Sequence, residues 1–69
     1  MDRRIAEQIL PILDKAAEDV DATMDLFKPF ATDEQFKRYS DAVGRVIFAI
    51  YDLRRPLVVE HPGLDRESR

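Results

Sequence analysis

Sixty-nine residues bound this chain to one small domain, and a domain of that size buries only about 60% of the surface its unfolded form exposes, so it ordinarily depends on a disulfide, a metal or a partner subunit. There is no cysteine, which excludes disulfides and thiolate metal sites and fits a reducing, cytoplasmic setting. Charged residues make up 36% of the chain at a net charge of −3, and no cluster of Lys and Arg is large enough to neutralise successive phosphates, so nucleic acid is not an expected partner.

Charge is unevenly spread. Residues 1–27 carry seven acids and three bases, a balance of −4, whereas residues 28–69 carry seven acids and eight bases, a balance of +1. Arg3 and Arg4 precede an apolar stretch, as in a signal peptide, but Glu7 and Gln8 break that stretch and no small-residue cleavage site follows. The expectation is a soluble, untargeted chain with no membrane partner.

From Asp2 to Phe27 the apolar positions follow one rule. Ala6, Leu10, Leu13, Ala17, Val20, Met24 and Phe27 recur at alternating steps of four and three, the 3.5-residue period of a helical packing seam. Beside it runs a second stripe of Ile5, Ile9, Ile12 and Ala16, which fades into Asp19 and Thr23. Pro11 lies within both stripes; it removes one backbone hydrogen bond and crowds the carbonyl of Glu7, so the spacing predicts a helix over 2–27 with a bend. Lys28 precedes Pro29, a position disfavoured in helix, and a short loop over 28–32 follows.

Thr32 opens the second helix. Thr-Asp-Glu-Gln over 32–35 is a capping box, in which the threonine hydroxyl and the glutamine side chain each serve the other's backbone amide. Asp33 and Glu34 then suit the positive end of the helix dipole. Phe36, Tyr39, Val43, Val46, Ile50, Leu53 and Leu57 repeat the seam and predict a helix over 33–55 with a kinked extension past Pro56 to 60. His61-Pro62-Gly63-Leu64 reads as a type II turn, and 65–69 as a polar tail.

Two helices of about 39 and 35 Å joined by a short loop imply an all-α antiparallel helical hairpin. Joining one seam to the other leaves Ile5, Ile9, Ile12, Ile47, Phe48 and Tyr51 without an intramolecular partner, more apolar surface than a soluble monomer ordinarily exposes. Gly44 lies near them, and glycine inside a helix costs about 1 kcal/mol relative to alanine, a cost that close approach of another backbone would explain. The expected arrangement is a homodimer forming a four-helix bundle, with Ile5, Ile9, Ile12, Gly44, Ile47, Phe48 and Tyr51 at the subunit interface. The run Ala42–Tyr51, interrupted only by Arg45, is its centre.

Residues able to carry chemistry are sparse. Glu7, Asp14, Glu18, Asp21 and Asp25 form an acidic stripe; such stripes can hold metal ions in helical bundles, but those sites also use a Glu-x-x-His pair that this chain lacks, so the stripe reads as a solvated face. His61 is the single histidine, and Gly44 and Gly63 are the only glycines, so no phosphate loop is present and no catalytic constellation can be assembled without the symmetry of a dimer. No catalytic, cofactor or metal residue is assigned. The reading is a non-enzymatic interaction or regulatory protein whose partner is itself. Its alternatives are a subunit of a hetero-complex, docking through its second apolar face or through Pro56–Leu64, which otherwise folds back over the bundle end near Ile5 and Ile9, and, behind that, a carboxylate metal-binding bundle.

Overall fold

A computed structural model describes the backbone of residues 2–67 and the side chains of residues 2–64. The chain is all-α: α1 spans Arg3–Phe27, a 3-10 turn spans Lys28–Phe30, α2 spans Asp33–Glu60 and α3 spans Pro62–Glu67, with no strand among the described residues. Residues 68–69 of the expected tail lie outside the described residues.

α1 and α2 begin where the local chemistry says they should. Asp2 caps α1, its carboxylate accepting from the Arg4 amide at 2.9 Å. The Thr32 hydroxyl accepts from the Gln35 amide at 3.1 Å and the Gln35 side chain accepts from the Thr32 amide at 2.9 Å, so both halves of the capping box are formed. Pro11 and Pro56 interrupt neither α1 nor α2. Both prolines are exposed, as are Glu7 and Asp52 four residues before them, so the carbonyls that lose their ladder donors lie on the water side. That is why α2 runs on to Glu60 instead of ending at 55.

The two long helices pack on one another. Phe27 and Tyr39 stack with ring centroids 4.7 Å apart, the Tyr39 hydroxyl donates to Thr23 Oγ1 at 2.6 Å, and Arg54 Nε lies 2.8 Å from Asp14 Oδ1. Farther along, Ala6 and Leu10 of α1 are buried in one cluster with Leu57 and Leu64, and Ile9, Leu13 and Val58 pack against it. Val43 and Ile50 complete the buried set.

Two expectations are corrected. Residues 61–64 are not a type II turn: that turn needs a positive φ at Gly63, and no glycine has one. Pro62 instead starts α3, where its fixed φ suits a first helical turn. The His61 amide donates to Leu57 O at 3.0 Å while its carbonyl accepts from the Leu64 amide at 3.0 Å, making it the joint between α2 and α3. Burial of Leu64 against Ala6, Leu10 and Leu57 supplies the drive, so this segment folds back onto α1.

The second correction concerns the phase of α2. Val46 and Leu53, expected inside the seam, are 46% and 60% exposed, while Ile47 and Arg54 are half-buried in their place. A straight helix turns 3.6 residues at a time, so a row spaced by 3.5 drifts about 20° per heptad unless the helices supercoil. Over Tyr39, Val46 and Leu53 that drift carries the row outward and brings the residue after each one in.

Candidate functional surface

The residues expected at a subunit interface are treated unequally by the fold. Ile9 and Ile47 are half-buried within the chain, Ile5 is 45% exposed, and Ile12 and Phe48 stand out at 67% and 68%. Tyr51 is half exposed, and a Cβ placed on Gly44 would meet nothing within 4 Å. No contact inside the single chain therefore requires glycine at position 44.

Two cross-contacts decide which edges lie together. Thr23 continues the Ile5–Ile9–Ile12–Ala16 stripe, and it bonds Tyr39, which shares its row with Val46 and Leu53. Asp14 lies on the other edge of α1 and meets Arg54, which shares its edge of α2 with Ile47, Tyr51 and Val58. The expected interface is thus divided. Ile5, Ile9 and Ile12 share a face with Val46 and Leu53, and Gly44, Phe48 and Tyr51 belong to the opposite one. Val46 and Leu53 stand exposed on the first of these faces although a strict heptad count assigns them to the interior, and the mismatch between 3.5 and 3.6 residues is the signal of it.

The opposite face is partly polar. A shallow groove of about 250 Å³ is lined by Tyr51, Arg54, Arg55, Val58 and Val59, with Val59 72% exposed. The side chains of Arg54 and Asp14 are 16% and 33% exposed. Their charged atoms are close, but the Nε–H is not aligned on the carboxylate oxygen, so the contact acts as a charge pair more than as a directed hydrogen bond.

The acidic stripe does not converge. Glu7 pairs with Arg3 at 3.0 Å and Asp14 with Arg54, while Glu18, Asp21 and Asp25 are exposed. Among the described residues no three His, Asp or Glu side chains gather as a metal site would require. Hydroxyl groups are engaged structurally: Thr23 donates to the Val20 carbonyl at 2.6 Å and accepts from Tyr39, and Thr32 caps α2. No helix of the described residues is long and apolar enough to cross a membrane. Compared with family models, with curated proteins and with solved structures, the chain shows no match, so its functional reading rests on its own surfaces.

Proposed function

We propose that this chain is a small non-enzymatic interaction protein, an antiparallel helical hairpin that pairs with a second copy into a four-helix bundle. The observation that carries the reading is the imbalance of its apolar surface. Six side chains are buried among the described residues, while Ile12, Phe48, Leu53 and Val59 are each at least 60% exposed and Val46 and Tyr51 about half exposed. Each such side chain, once covered, is worth roughly 1.5–3 kcal/mol, and a soluble monomer seldom leaves that much unused. A cysteine-free chain of this composition suits the cytoplasm.

The groove beside Phe48 favours one further element, a different protein as a second ligand. Aromatic, arginine and valine side chains side by side are the composition of protein-docking surfaces. In that reading the bundle is a platform and the groove its recognition surface. Light scattering on the purified chain tests the self-association: a mass near twice 8.0 kDa at micromolar concentration is expected, and 8.0 kDa would overturn it.

A further inference from the structure

We propose that the second copy docks on the face formed by Ile12 and Ala16 of α1 with Val46, Ala49 and Leu53 of α2, and that Asp19 of each copy pairs with Arg45 of the other. This rests on the self-association reading and says which of the two apolar faces serves it.

Three observations bear on this face. The first is its chemistry. The Asp14–Arg54 and Thr23–Tyr39 contacts fix the antiparallel register, and their mean puts Ile12 near the height of Leu53, Ala16 near Ala49 and Asp19 near Val46. Large residues therefore flank a low waist of two alanines, and the centre holds no charged group. Small against large is what interdigitating layers need. The opposite face carries Phe48 and Tyr51 but also Glu7 and Asp14 along α1, and covering it would strip water from carboxylates at a cost a second copy need not bear.

The second observation is size. The Cα extents are 45 by 16 by 16 Å, so a long face has the reach that a stable interface of about 800 Å² per partner needs; both long faces have it, and the chemistry and charge distinguish them.

The third is charge at the edges. Asp19 and Arg45 are both exposed, on the outer flanks of α1 and α2 at about one height. A two-fold axis parallel to the helices preserves height and lays α1 of one copy over α2 of the other. Asp19 then faces Arg45 of the other copy twice, once at each edge. Within its own chain Asp19 already meets Lys15 at 3.5 Å, and Arg45 of the other copy adds a second cation to that carboxylate. Such couples set partner and register.

Equilibrium sedimentation of four variants tests the proposal. Leu53→Asp is expected to run at 8.0 kDa with helical circular dichroism retained, since the side chain is exposed in the single chain, while Phe48→Asp keeps the dimer mass. Asp19→Arg alone should weaken the dimer about tenfold by placing like charges at both edges, and adding Arg45→Asp should restore it. Both charged positions are exposed, so this arm decides even if Leu53→Asp fails to fold. A dimer that survives Leu53→Asp but is lost in Phe48→Asp overturns the face and leaves self-association standing. A double charge variant no tighter than Asp19→Arg overturns the pairing, and an unmodified chain already at 8.0 kDa overturns the self-association on which both rest.

Discussion

Replacing Leu10 by alanine is expected to remove about 3 kcal/mol of folding stability, within the range of roughly 2–5 kcal/mol for large-to-small changes in a core. Leu10 is 1% exposed and sits where three elements meet: Ala6 on its own helix, Leu57 from α2 and Leu64 from α3, with Ile9, Leu13 and Val58 around them. Its truncation removes the transfer energy of the deleted carbons and leaves a hole that residues on three separate elements must close together. A small domain has on the order of 5 kcal/mol to lose, so the variant should keep only about 2 kcal/mol and melt well below the unmodified chain. Urea unfolding followed by circular dichroism, at one fixed protein concentration, gives the number. A loss under 1 kcal/mol would mean that the Leu10–Leu57–Leu64 cluster is not the anchor of the helix pair.

The pair formed by Asp14 and Arg54 should respond asymmetrically. Arg54 occupies a place in the seam between Ile50 and Leu57, with its side chain only 16% exposed. Asp14→Ala removes the carboxylate 2.8 Å from that largely buried guanidinium, and the expected loss is about 2 kcal/mol. Arg54→Met keeps the apolar stem, deletes the charge that must be desolvated and frees Asp14, which is a third exposed, to turn to water; its expected change is within about 1 kcal/mol of zero. Urea unfolding of both variants and of the double variant measures the difference. Equal losses from the two single changes would contradict the view that burial of the charge, and not the attraction itself, sets the energetics.

The start of α2 was plain in the residues because it is set by local chemistry: Thr32 and Gln35 act within three positions of each other, whereas Lys28, expected to leave the helical region before Pro29, keeps it and leads into the 3-10 turn. The all-α class followed from apolar spacing alone. What escaped was the rotation of α2. Tyr39, Val46 and Leu53 look like a seam when counted by sevens, and only the packing of the two helices decides that Ile47 and Arg54 turn inward instead. Arg54 was hidden for a related reason: an arginine near a proline resembles a helix-end cation, and nothing local tells that Asp14, forty residues earlier, waits across the seam. Leu64 was legible as an apolar residue in search of cover, but Pro62-Gly63 has two good local solutions, turn and helix start, and burial against Leu57 chose between them. The placement of the exposed apolar residues was half legible for the same cause: Ile5 and Ile12 stand out on one face as their spacing implies, while Val46 and Leu53, counted into the seam, are exposed beside them.

The central claim is that this fold is completed by a second copy of itself, and the most direct test is the melting temperature at two concentrations. If unfolding and dissociation are one event, a hundredfold rise in protein concentration adds about 2.7 kcal/mol to the folded state. For a pair of chains this small, that should raise the midpoint by about 10 °C between 1 and 100 µM. A midpoint that stays constant across that range would contradict the account, because it would mean that each chain folds and melts alone.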